Sequence, residues 1–161
     1  IFPERINNIY FTYLFLLRAL NVAKESLLNY DYGTGVGGEE EQEVRSLLDK
    51  LYTNHLVCSS PFDESSMFIG EDKGALKHTL RTKFRNISSI MDCVSCETCK
   101  VHAKLQILGI GTALRLLLDD EYDNNDNSPT THDLQRNEVV AVVNSLLKFA
   151  ESIQIYQKMI E

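Results

Sequence analysis

The chain is organised around residues 92–106, which read DCVSCETCKVHAKLQ. Three cysteines, Cys93, Cys96 and Cys99, stand three residues apart at the start of a run with helical apolar periodicity. A Cys-x-x-Cys pair closes a small ring, so it changes between dithiol and disulfide with little backbone movement. A helix N-terminus lowers the pKa of a thiol and raises the thiolate fraction that carries out disulfide exchange. We therefore predict that Cys96 and Cys99 form a redox-active pair, with Cys93 as a third, structural or regulatory cysteine.

The spacing alone leaves two other interpretations open. Together with His102, the three cysteines also have the spacing of ligands for zinc or an iron–sulfur cluster. Metal sites usually take their ligands from two separate segments, whereas Cys96, Cys99 and His102 follow one another along one predicted helix. The thiols could also be merely buried. The metal alternative would make the chain a non-catalytic helical module with a structural zinc on Cys93, Cys96, Cys99 and His102.

Length and composition exclude several classes of protein. A chain of 161 residues is the size of one domain, and 43% hydrophobic residues suffice for a core. The net charge of −7 and the pI near 5.1 argue against nucleic acid as a partner. The longest uncharged run, residues 6–17, is shorter than the roughly 20 apolar residues of a transmembrane helix.

Apolar periodicity predicts an all-α fold, a helical bundle. The predicted helices cover residues 4–30, 39–54, 73–91, 96–118 and 134–160. Four of these segments carry apolar stripes at helical spacing. The stripes are Ile6, Ile9, Tyr10, Tyr13, Leu16, Leu17 and Leu20, then Val44, Leu47, Leu48 and Leu51, then Val101, Leu105, Leu108, Thr112 and Leu116, then Val139, Val142, Val143, Leu146 and Phe149. Residues 119–131 are acidic and asparagine-rich, which is typical of a surface loop.

Residues 84–100 carry a family resemblance. They read FRNISSIMDCVSCETCK and closely resemble the active-site helix of the endoplasmic reticulum oxidoreductin family, the FAD-dependent sulfhydryl oxidases that oxidise protein disulfide isomerase. The similarity continues through Lys104-Leu105-Gln106 and GIGTAL at residues 109–114, and includes PERINNIYFTYL at residues 3–14 and Phe62-Asp63-Glu64. The resemblance implies that residues 1–161 form a single helical domain, the C-terminal part of a longer flavin-dependent thiol oxidase.

The family's chemistry gives the cysteines separate roles. The resemblance implies that Cys96 exchanges with a shuttle disulfide while Cys99 lies against the flavin of FAD. Electrons from protein disulfide isomerase would then pass to FAD and on to molecular oxygen, producing hydrogen peroxide. The implied location is the endoplasmic reticulum lumen, and the resemblance allows for peripheral association with the membrane of that compartment.

Arg5 is the cofactor-binding residue that the resemblance implies. From composition alone, a lone arginine is ordinarily a solvated surface charge. The family's Pro-x-Arg arginine is implied to contact the FAD phosphates, and Arg5 occupies the matching position. The guanidinium group suits this contact because it binds phosphate through two parallel hydrogen bonds.

Two further sites follow from sequence motifs. Asn86-Ile87-Ser88 is a glycosylation sequon, and a glycan on Asn86 would agree with an address in the secretory pathway. Cys58 is expected to be a buried thiol or the disulfide partner of Cys93. The resemblance implies a different partner for Cys93, because the matching cysteine of the family pairs with an upstream cysteine that this chain lacks.

Two features of the helix after Cys99 call for an explanation. His102 and Ala103 stand where the family usually has Trp-Gly, so a bulky indole is missing beside the redox pair. Gly109 and Gly111 each cost about 1 kcal/mol relative to alanine in a helix interior. Something must therefore approach the backbone closely. We expect a neighbouring helix, with the edge of a flavin as the alternative that the family implies.

Overall fold

The structure, a computed structural model, describes residues 3–32, 38–54, 72–118 and 133–160. These ranges contain helices and turns but no strand, which confirms the all-α prediction. The helices are α1 (Pro3–Val22), α2 (Lys24–Leu28), α3 (Glu39–Asn54), α4 (Lys73–Asp92), α5 (Glu97–Leu118) and α6 (Arg136–Ile160). Three features named above lie outside the described residues: Cys58, the segment Phe62-Asp63-Glu64 and the acidic loop at 119–131.

Helix α5 is central, because it packs against α1, α4 and α6. Helix α6 also packs along α1, so these two helices and α5 enclose the main core. The buried side chains of this core include Leu16 and Leu20 of α1, Ala113 and Leu116 of α5, and Val142 of α6. The helix that carries the cysteines is therefore held by contacts with three neighbouring helices, while its first turn is exposed.

The first predicted helix is not continuous. The sequence predicts one helix over residues 4–30, but α1 and α2 are separated at Ala23, where φ is −85° and ψ is 9°. In an unbroken helix the carbonyl of Leu20 would accept the N–H of Lys24. Here it accepts a hydrogen bond from the hydroxyl of Tyr52 on α3, at 2.9 Å. A tertiary contact at the break thus takes up a carbonyl that the helix would otherwise use.

Two residues of the apolar stripes are exposed. Leu47 on α3 is 56% exposed and Val101 on α5 is 62% exposed. The other residues of these stripes are buried, such as Leu48, Leu116 and Val142, or half-buried, such as Val44 and Leu105. Helical periodicity gives the direction of a face but not how far a neighbour covers it. No described helix covers Leu47 or Val101.

Helices α5 and α6 are long and apolar enough to cross a membrane by length and composition. This differs from the expectation drawn from uncharged runs. Core helices of soluble proteins meet the same criterion, and α5 and α6 pack against each other here. Composition alone therefore does not distinguish a core helix from a membrane-spanning one in this chain.

Candidate active site

A tight turn between α4 and α5 brings the cysteines to the start of α5. Cys93 follows the last residue of α4, and its N–H donates to the carbonyl of Ile90 at 3.1 Å. The N–H of Val94 donates to the carbonyl of Met91, also at 3.1 Å. These bonds use carbonyls in the last turn of α4 that lack helical partners. The chain then enters α5 directly after Cys96, as the sequence predicts.

Cys96 and Cys99 form a disulfide across the first turn of α5. Their Cα atoms are 5.2 Å apart, and both residues are exposed. The N–H of Cys99 donates to the sulfur of Cys96 at 3.3 Å, while the N–H of Lys100 donates to the carbonyl of Cys96 at 2.9 Å. Cys96 is therefore the N-cap of α5, with a sulfur in the role that a serine or aspartate oxygen usually has.

Both cysteines lie at the N-terminus of α5. If the disulfide is reduced, a thiolate at either cysteine would lie near the N–H groups of the first turn and the positive end of the helix dipole. Both effects favour the thiolate over the thiol. The exposed sulfurs are also accessible to an attacking thiolate.

The four candidate zinc ligands do not form a metal site in the described structure. Cys93 is an exposed free thiol, and His102 is exposed on α5. Within the described ranges, no group of three or more histidine, cysteine, aspartate or glutamate residues could hold a metal ion. Cys96 and Cys99 are bonded to each other rather than available as thiolates.

An ion pair that sequence analysis missed ties the end of α4 to α5. The ammonium group of Lys104 donates to the carboxylate of Asp92, next to Cys93. This hydrogen bond, with the charges of Lys104 and Lys100, lowers the pKa of Asp92. Lys100 also pairs with Glu97 at 2.8 Å. Asp92 and Lys104 are 12 residues apart, so only knowledge of the turn between the helices could have paired them.

The other two predicted site residues lie on different helices. Arg5 is exposed in the first turn of α1. Asn86 is exposed on α4, so its amide is accessible to a glycan, although the sequon is helical rather than in a loop. The structure therefore brings together the cysteines of the motif and leaves Arg5 and Asn86 on separate elements.

The two glycines of α5 have different surroundings. A Cβ on Gly109 would lie 2.2 Å from the Ser145 hydroxyl and 2.4 Å from the Ala141 carbonyl oxygen of α6. The neighbouring helix that we expected is thus present at Gly109. A Cβ on Gly111 would meet only the ring of Phe84, at 3.6 Å, which is an ordinary contact. Close helix packing explains the first glycine but not the second.

Known proteins of one family match almost the whole chain. The family model of Endoplasmic Reticulum Oxidoreductin 1 matches residues 1–156. Endoplasmic reticulum oxidoreductin-1 of Arabidopsis thaliana is 42% identical over 159 residues, which cover 98% of this chain and 34% of that protein. ERO1-like protein alpha of Homo sapiens is 37% identical over 159 residues, covering 94% of this chain and 34% of that protein. The chain thus spans about a third of the length of these relatives.

A solved structure shares the fold. It is Ero1p, described as the source of disulfide bonds for oxidative protein folding in the cell. The TM-score is 0.66 at 26% identity, and the match covers 98% of this chain and 42% of that chain. Together with the family match, this similarity shows that the chain belongs to the endoplasmic reticulum oxidoreductin 1 family.

Proposed function

We propose that the chain is the C-terminal catalytic part of an FAD-dependent thiol oxidase of the endoplasmic reticulum lumen. Its activity is to pass electrons from protein disulfide isomerase through Cys96 and Cys99 to FAD and then to molecular oxygen, producing hydrogen peroxide. The observation that carries this proposal is the exposed Cys96–Cys99 disulfide at the N-terminus of α5. The names of the relatives and the description of Ero1p support the same class of reaction.

The first step is disulfide exchange at Cys96. A thiolate of the shuttle pair, reduced by protein disulfide isomerase, attacks the Cys96 sulfur, and the bond to Cys99 breaks. Cys99 leaves as a thiolate in the first turn of α5, where the N-terminal N–H groups and dipole stabilise its charge. The second shuttle thiol then displaces Cys96. The shuttle pair becomes a disulfide, and Cys96 and Cys99 hold the two electrons as a dithiol.

The residues present fit a bound flavin in two respects. The redox pair is exposed, so a planar ring can approach the sulfur of Cys99, and the exposed Arg5 can donate two hydrogen bonds to a phosphate. FAD supplies a two-electron acceptor that oxygen can reoxidise. The chain's own contribution is to hold Cys99 on a rigid, packed helix and to return the pair to its disulfide. Two protons leave the thiols in that step.

Two flanking sites complete the proposal. Cys93 is an exposed thiol three residues before Cys96, and we assign it to a structural or regulatory disulfide rather than to the exchange itself. Asn86 is assigned as a glycan acceptor in the secretory pathway. Its exposed position on α4 is compatible with modification.

Cysteine substitutions in the full-length protein test the proposal. Cys96→Ala or Cys99→Ala is expected to abolish oxygen consumption with reduced protein disulfide isomerase, because neither variant can hold the electron pair as a disulfide. Cys93→Ala is the matched control and is expected to retain turnover. Sustained turnover in either of the first two variants, with FAD bound, would refute the assignment of Cys96 and Cys99.

A further inference from the structure

Side chains of α4 and α5, with Glu138 of α6, line an open cleft of about 300 Å³ that does not include the cysteine pair. This volume lies at the lower end of the range for small-molecule sites, roughly 300–1,000 Å³. Its lining includes six apolar side chains, Leu80 and Phe84 from α4 and Ile107, Leu108, Leu114 and Leu118 from α5. Gly111 also faces the cleft, and the absence of a side chain there leaves room beside the ring of Phe84. Space in the cleft is therefore a reason for a glycine at position 111, where close helix packing gives none.

The charge of this cleft is opposite to that of the chain. Four basic residues line it, Lys77, Arg81, Lys104 and Arg115, against one acidic residue, Glu138. The chain as a whole carries a net charge of −7. A concentrated positive lining on an acidic protein attracts small anions while the remaining surface repels them.

Arg81 is the only one of these four cations that is exposed. Lys104 is paired with Asp92, and Arg115 is paired with Glu138 at 2.9 Å. Arg81 is exposed and makes no ion pair with another described residue. A guanidinium group binds carboxylate or phosphate through two parallel hydrogen bonds.

We propose that this α4–α5 cleft binds a small organic anion, with an apolar ring between Phe84 and Leu108 and a phosphate or carboxylate on Arg81. The cleft is too small to enclose a whole dinucleotide, and neither Arg5 nor the cysteine pair lines it. It is therefore a second ligand site, separate from the proposed flavin contacts. Binding there does not depend on whether the chain oxidises thiols.

Isothermal titration calorimetry of the full-length protein tests this proposal with three probes: 1-naphthyl phosphate, 1-naphthol and inorganic phosphate. We expect 1-naphthyl phosphate to bind at least about tenfold more tightly than either of the other two, because only it carries both the ring and the charge. Equal binding of 1-naphthol or of inorganic phosphate would overturn the two-part recognition.

Two substitutions locate the site independently. Arg81→Gln is expected to weaken binding of 1-naphthyl phosphate roughly tenfold or more, since it removes a charge-assisted contact. Arg85→Gln, one turn further along α4 and outside the cleft lining, is the matched control and should bind as the unchanged protein does. Gly111→Leu should fill the cleft and weaken binding at least as much. If Gly111→Leu does not fold, the comparison of Arg81→Gln with Arg85→Gln still tests whether the probe binds in the cleft.

The proposal is overturned if Arg81→Gln and Arg85→Gln bind the probe equally. Thiol oxidase activity is measured separately with protein disulfide isomerase and oxygen. Loss of one property without the other distinguishes failure of this site from failure of the proposed oxidase.

Discussion

At Cys96 a sulfur atom is both half of a disulfide and the cap of a helix. Its sulfur accepts the N–H of Cys99 at 3.3 Å, in the position where an N-cap oxygen usually accepts. A thiolate accepts hydrogen bonds more strongly than a disulfide sulfur. A Cys96 thiolate formed on reduction would therefore cap the first turn of α5 more strongly than the disulfide sulfur does.

The Asp92–Lys104 pair gives a prediction at the same scale. Lys104→Met should raise the pKa of Asp92 toward its ordinary value of 3.8, because the hydrogen bond from Lys104 is the main cause of the lowered pKa. A lowered pKa contributes stability above the ordinary pKa, and this contribution is lost as the pH falls through the folded-state value. Carbon-13 NMR titration of the Asp92 carboxyl measures its pKa in the unchanged protein and in Lys104→Met. An unchanged pKa would show that Lys104 is not its cause.

Tyr52 gives a second prediction for a single side chain. Its buried hydroxyl donates to the carbonyl of Leu20 at the end of α1, and burial raises its pKa. Tyr52→Phe should lower the free energy of unfolding by about 1 kcal/mol, since that carbonyl loses its donor. Urea denaturation measures the change. Tyr156→Phe on α6 is the control, because the Tyr156 hydroxyl makes no hydrogen bond to a described residue, and equal losses would contradict the role of Tyr52.

At the scale of elements, periodicity predicts where helices lie better than where they break. The predicted segments at 73–91, 96–118 and 134–160 differ from α4, α5 and α6 by at most two residues at either end. The interruption at Ala23 could not be predicted, since no glycine or proline marks it. It coincides with the hydrogen bond from Tyr52, which depends on how α3 packs.

The two glycines of α5 give a prediction for helix packing. Gly109→Ala should lower the free energy of unfolding by about 1–3 kcal/mol, because its Cβ would meet backbone atoms of α6 that cannot move without separating the helices. Gly111→Ala should leave stability unchanged or raise it by up to about 1 kcal/mol, since alanine is the better helix former and the Phe84 ring lies at an ordinary distance. Thermal or urea unfolding measures both variants. A destabilisation of equal size in both would contradict this account of the α5–α6 contact.

For the whole molecule, the local geometry of the cysteine motif was predictable and the contacts between helices were not. The Cys-x-x-Cys spacing already implies a small ring, and the structure places that ring at the start of α5. The Asp92–Lys104 pair and the α4–α5 cleft join residues from two helices, so they depend on a packing that spacing does not specify. The roles of all the predicted site residues remain predictions. Those of Cys96, Cys99, Cys93 and Asn86 start from sequence motifs, and that of Arg5 rests on the family resemblance.

The proposed activity also needs more of the protein than its redox pair. The chain spans about a third of the relatives that it matches, so the shuttle pair and other flavin contacts belong to the proposal for the full-length protein. What the described residues contribute is a helix packed against three others, with the exposed cysteine pair at its start. We propose that electrons pass through the sulfurs of Cys96 and Cys99 on their way to the flavin.

Anaerobic mixing of the full-length, FAD-bound protein with reduced protein disulfide isomerase tests this electron route, with the yellow absorbance of oxidised flavin followed over time. We expect rapid bleaching in the unchanged protein and in Cys93→Ser. We expect no bleaching in Cys99→Ser, whose flavin stays oxidised although thiols are present. Bleaching of Cys99→Ser at the unchanged protein's rate would mean that electrons reach the flavin by another route.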